Sequence, residues 1–83
     1  MKSRLKQAAL LALRACDGVP IPESALVAHL QNAARPKGAT FIECDVVIKE
    51  LAAERWIAGL HDDLTNETSY TLTEKGAHKA AQL

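Results

Sequence analysis

Apolar positions recur along this chain at two spacings, and the change from one to the other divides it into elements. From Lys2 to Cys16 the sequence is rich in strong helix formers, and Leu5, Ala8, Ala9, Ala12, Leu13 and Cys16 fall on one stripe at helical period. Leu10 and Leu11 fall outside it, on either side of a back face made of Ser3, Arg4, Gln7 and Arg14. One reading is that neighbouring helices bury one of the two leucines; the other is that they form a self-association surface. Asp17-Gly18 ends the helix, with Gly18 suited to a left-handed C-terminal position.

Val19-Pro20-Ile21 is extended, because proline disfavours helical backbone in the residue before it. Pro22 suits the first turn of a second helix, Glu23 to Asn32, with Leu26, Val27 and Leu30 on its buried edge and Ala33 as an extension. The stretch ARPKGA, 34–39, is a loop. Thr40 and Glu43 then have the spacing of a capping box, in which each side chain takes a backbone N–H of the other's segment. The third helix that they open runs to Glu54, with Phe41, Cys44, Val47, Ile48 and Leu51 on its core stripe.

The period then shortens. Arg55 to His61 reads as a strand with Trp56 and Ile57 on opposite faces. Asp62 to Glu67 is a polar turn, and Thr68 to Leu72 a returning strand with β-branched and aromatic content. Thr73 caps a last helix, Glu74 to Leu83, which Gly76 weakens.

The totals narrow the class. Eighty-three residues make a single domain, 1–83, and 48% hydrophobic content excludes a disordered chain. With one Phe, one Trp and one Tyr, the core is aliphatic. Ten basic side chains balance ten acidic ones, which removes the basic excess that draws a protein to phosphate. Cys16 and Cys44 both lie in apolar helical patterns and read as reduced thiols. The apolar run AALLAL is too short and interrupted for a signal or membrane span, so a soluble cytoplasmic protein with no membrane partner is expected.

Catalytic chemistry finds no footing. His29, His61 and His78 are widely spaced, with no metal-ligand spacing such as H-x-x-x-H or C-x-x-C. Cys44 sits where a nucleophile would be inaccessible, Asp62-Asp63 is turn sequence, and no glycine-rich phosphate loop occurs. Neither an enzyme nor a cofactor or metal is expected.

The order, α-β-α-α-β-β-α, makes the chain mainly α with a small β-hairpin, an α+β class. It resembles a winged helix-turn-helix domain, nearest to small bacterial regulators of the MarR and PadR kind. The resemblance rests on the third helix running into ELAAERWIAGL and on the hairpin closing on YTLTEKG, where Tyr70, Leu72, Thr73 and Gly76 match the family's strand-to-helix pattern. Val19-Pro20-Ile21 matches the short first strand. The resemblance implies a third helix that enters the DNA major groove, a hairpin that touches the backbone, and a homodimer on the first and last helices. Carried onto this chain, the residues for double-stranded DNA are Arg35, Lys37, Lys49 and Arg55; the pattern of the first helix itself makes Leu10 and Leu11 the dimer candidates.

The residues themselves pull the other way. Ile42, Val46, Lys49 and Ala53 form the third helix's second stripe, so three of its four positions are apolar, with Glu43, Asp45, Glu50 and Glu54 around it. The hairpin tip carries Asp62, Asp63 and Glu67 and no cation. Carboxylates are repelled by phosphate. Two expectations therefore stand: a DNA-binding transcriptional regulator with an atypical face, or a protein-interaction module using Ile42, Val46, Ala53 and Trp56. A third, structural reading is that the loop or the last helix covers Ile42 and Val46.

Overall fold

A computed structural model describes residues 2–35 and 38–83. Four helices, α1 (Lys2–Ala15), α2 (Glu23–Ala33), α3 (Phe41–Ala53) and α4 (Glu74–Ala81), pack with a sheet of β1 (Ile21–Pro22), β2 (Ile57–Asp62) and β3 (Glu67–Leu72). The order and α+β class are those expected from the hydrophobic pattern.

β3 is the middle strand, antiparallel to both neighbours, with Ile21 opposite Tyr70 and Ile57 opposite Leu72. A proline in β1 is tolerated because that strand lies at the sheet's edge. Leu5, Ala9, Leu10 and Leu13 of α1 pack with Leu26, Val27 and Leu30 of α2 and with Cys44, Val47, Ile48 and Leu51 of α3. Ile57 and Tyr70 close this core from the sheet, and Ala80 closes it from α4.

Local chemistry sets the helix ends. The Thr40 hydroxyl accepts from the Glu43 N–H, and Glu43 accepts from the Thr40 N–H, so the capping box forms at α3. Thr73 caps α4 by accepting from the Gly76 N–H. At the other end of α3, the Arg55 N–H donates to Ala52 and the Trp56 N–H to Leu51. This paired pattern needs a left-handed residue at Arg55, whose φ is 65°.

Several expectations change here. Arg55 and Trp56 do not belong to β2, because this exit turn uses them before the strand begins at Ile57. Pro22 sits one residue earlier than expected, as the N-cap of α2 with ψ 146°, where its missing N–H costs nothing to the helix. Phe41 is 58% exposed rather than in the core, since burial along α3 begins only at Cys44, a turn further on. α1 stops at Ala15, and Cys16 is half-buried beyond it while Cys44 is fully buried.

Gly76 has a role that helix propensity hid. A Cβ there would collide with the carbonyl oxygen of Trp56 and crowd Leu72. The glycine lets the first turn of α4 lie directly on the exit turn of α3. That carbonyl oxygen also accepts from the Thr73 N–H, and the Thr73 hydroxyl donates to Arg55 O at 2.6 Å.

Candidate interaction surface

The outer face of α3 is the feature that separates the expected functions. Ile42 is 72% and Val46 40% exposed, and Ala53 is exposed with them. Among the described residues nothing buries them, which speaks against the structural reading of this stripe. Capping at Thr40 fixes the phase of the helix: Cys44, Val47, Ile48 and Leu51 turn inward, and the second stripe turns to solvent. Glu43 and Glu50 lie along one flank of that stripe and Asp45 along the other.

Lys49 is the single cation on this face, and it is engaged. Its ammonium lies 3.5 Å from Glu23 of α2 and 3.9 Å from Asp45 one turn back. It also donates to the Tyr70 hydroxyl at 3.5 Å. Partial burial works against its charge, but Tyr70, Glu23 and Asp45 outweigh that and hold its pKa above the ordinary lysine range. The side chain thereby links α3 to α2 and the sheet, and its charge is balanced locally.

Arg35 and Arg55, also assigned to DNA, lie towards opposite ends of α3. Arg35 is exposed just past the end of α2, before the loop that leads into α3. Arg55 is exposed at the opposite end of that helix, on left-handed backbone. Lys37 lies outside the described residues. At the hairpin tip, Asp62 accepts from the Leu64 N–H at 2.9 Å, and Asn66 takes the left-handed position. Glu67 accepts from Ser24 of α2 at 3.0 Å. The tip is acidic, as its sequence indicates.

Trp56 is half-buried, with one side packed against the core and the rest lining the open depressions beside α4. Its indole N–H donates to Glu54 at 2.9 Å, and the Lys75 ammonium sits 4.1 Å from the ring centroid. Lys75 also donates to the Glu54 carbonyl, satisfying an end of α3. Lys6 of α1 pairs with Glu54 at 3.2 Å and Glu50 at 3.4 Å. The Trp56 N–H and then Lys6 hold the Glu54 carboxyl below the usual range.

Of the two dimer candidates, Leu10 is only 5% exposed and is removed from any surface, whereas Leu11 is 43% exposed between Gln7 and Arg14. Core packing resolves the ambiguity between them. Besides Phe41, read as core, four large exposed apolar residues among those described are not marked as exposed by the sequence pattern: Val19, Leu83, and Leu60 and Leu64 on the hairpin, the last 96% exposed. The signal for Leu64 was present: it is the one apolar side chain in DDLTNE, and a turn tip has nothing to pack against.

Charge is unevenly shared. Residues 19–73 carry eight carboxylates and four cations, and the flanking stretches of α1 and α4 carry six cations and two carboxylates. Among the described residues no group of three His, Cys, Asp or Glu side chains could hold a metal ion, and no helix is long and apolar enough to cross a membrane. Compared with known proteins, the chain gives no significant match to a family model, a curated protein or a solved structure.

Proposed function

We propose that the chain is a winged-helix protein-interaction module, with α3 in the place of the recognition helix and the β2–β3 hairpin as its wing. The supporting observation is the outer face of α3: Ile42 and Val46 stand in solvent, acids flank them, and the one cation is paired with Glu23 and Asp45. Such a face suits an apolar helix or segment with basic edges, which would gain both burial and charge complementarity. A duplex would meet carboxylates at α3 and at the hairpin tip instead.

The order of elements and the Tyr70–Gly76 joint support the winged-helix part of this reading. Thr73 and Gly76 have a physical task there, holding the start of α4 on the end of α3.

The second reading is a DNA-binding transcriptional regulator, and the specific observation in its favour is that Arg35 and Arg55 are exposed near the two ends of α3. Salt separates the two, since phosphate contacts weaken steeply with ionic strength and apolar contacts do not. In a gel-shift titration at low salt the expected result is no retardation of any duplex. Retardation that is lost on raising the salt, and lost in an Arg35→Ala, Arg55→Ala double variant, would establish the DNA reading. Under the interaction reading, Val46→Lys leaves the melting temperature nearly unchanged and removes a photo-crosslink placed at position 42.

A further inference from the structure

We infer that the acidic, apolar face of α3 docks into a basic, apolar groove on a second copy of this chain. The groove runs between α1, the exit turn of α3 and α4. It consists of two adjoining depressions that share Trp56 and Lys79. Trp56 lies at its base over the buried Leu10 and Leu51, with Lys6, Lys75 and Lys79 along its sides. Leu83, 44% exposed, extends the apolar lining at one end.

The argument for this occupant is complementarity within one sequence. The lysines of the groove come from the stretches with the cation excess, and the α3 face belongs to the stretch with the carboxylate excess. The two cancel to a net charge of zero, so copies attract through opposite faces rather than repel as whole molecules. Both faces also offer apolar surface, Ile42 and Val46 on one and Trp56 and Leu83 on the other. Glu54 also lines the groove and pairs with Lys6 at 3.2 Å, and Lys6 pairs with Glu50 of α3 at 3.4 Å, so Lys75 and Lys79 are the cations that the groove offers a partner. Glu74 sits with Lys75, His78 and Lys79 at the α4 side.

A single helix laid in a shallow groove buries less than the ~1,000 Å² typical of stable complexes, so the contact is weak, with Kd on the order of 0.1 mM. It joins two different faces of the chain, and a face disabled on one copy can be supplied by the other.

Sedimentation equilibrium of the intact chain tests this. At about 0.02 M salt the average mass is expected to rise with protein concentration, and at about 0.5 M salt to return towards the monomer. Lys79→Glu, on the groove, and Val46→Lys, on α3, each weaken association about fivefold or more. An equimolar mixture of the two variants regains association, because each supplies the face that the other lacks. Circular dichroism melts of both variants confirm that they remain folded; both sites are exposed. If either variant is misfolded, Lys75→Ala and Ile42→Ser take their places. A monomer at every concentration up to about 1 mM in low salt overturns the inference. So does association that neither substitution changes, or variants that fail to complement each other.

The pairing rests on the reading of α3 as a protein contact, and the outcomes keep the two apart. Loss of association in Lys79→Glu with none in Val46→Lys overturns the pairing, and the absence of any crosslink from position 42 overturns the reading of α3. A monomeric chain whose position 42 still crosslinks to a basic partner overturns the pairing alone.

Discussion

The stretches Thr73-Glu74-Lys75-Gly76, read as a helix start, and Asp62-Asp63-Leu64-Thr65-Asn66, read as a turn, are both mostly polar, yet the fold uses them in opposite ways. In the first, the side chains that matter meet another part of the chain. Thr73 bonds to both Arg55 and Trp56, Lys75 lies over the Trp56 ring, and Gly76 leaves space for a carbonyl. In the second, Asp62 serves its own turn, and Leu64 projects into solvent. Polar sequence that carries long-range contacts is structural cement, and polar sequence that carries only local ones is surface available for another task. A resemblance to a family motif does not separate these two cases, because the joint is required by the fold whatever the domain binds.

The sharpest way to break this contrast is Gly76→Ala. Alanine is the better helix former, so propensity alone predicts a gain of about 1 kcal/mol. The close approach predicts the reverse, a loss of about 3 kcal/mol, since a Cβ would force α4 off the Trp56 carbonyl. Urea unfolding decides between them; a stabilised variant would show that the joint is loose. Thr73→Val tests the same joint more gently. It keeps the shape but leaves the Gly76 N–H and the Arg55 carbonyl without their hydroxyl partner, at a cost of about 1.5 kcal/mol.

How much of this was legible follows from what each residue responds to. The capping box at Thr40 and Glu43, the cap at Thr73 and the buried edge of α2 depend on neighbours within one turn, so spacing reveals them. The period also placed Ile42 and Val46 on the outer stripe, but their exposure depended on whether the 34–39 loop or α4 folds back over them, which no local pattern states. Phe41 shows the same limit from the other side: it has a core-like phase but lies one turn before the packing begins. Gly76 was misread because its reason lies some twenty residues away, at Trp56. The pairing of Lys49 with Glu23 was likewise hidden, since it spans two helices whose packing the sequence does not print.

Arg55→Gly sharpens the comparison where the joint meets the candidate surface. Arg55 holds φ at 65° so that the end of α3 can turn towards Trp56. Left-handed backbone costs a residue with a Cβ about 1 kcal/mol that glycine avoids. The variant is therefore expected to be more stable by about 1 kcal/mol, less the greater entropy of glycine in the unfolded chain. A clear loss of stability in thermal melts would mean that the guanidinium contributes to the fold. A stabilised variant that has also lost a binding activity would mark Arg55 as a residue retained for function despite its backbone cost.

At the other pole of the comparison, Leu64→Asp changes stability by less than about 0.5 kcal/mol, because a side chain that is 96% exposed has no packing to lose. A larger effect would show that the hairpin tip rests on something. If Leu64 belongs to an interface, the same variant lowers binding with the melting temperature unchanged.

The smallest expected effect is a titration at the joint itself. Glu54 accepts from the Trp56 indole at 2.9 Å and from Lys6 at 3.2 Å, and these bonds, in that order, pull its carboxyl below the ordinary 4.5. A carboxylate whose pKa is depressed by folding lends stability that is fully present above its unfolded value and is lost as pH falls through its folded value. The change therefore falls below pH 4.5. Trp56 is the only tryptophan, so its fluorescence reports protonation of the carboxylate that it touches. The expected trace is flat above that value, with a midpoint below it that is absent in Glu54→Gln. Added salt screens Lys6 but leaves the indole bond in place, so the midpoint rises only part of the way towards 4.5. A midpoint at or above 4.5 would mean that Glu54 does not hold the indole in solution. Trp56 would then be free to turn outward, and the exit of α3 would belong with the open hairpin tip rather than with the joint.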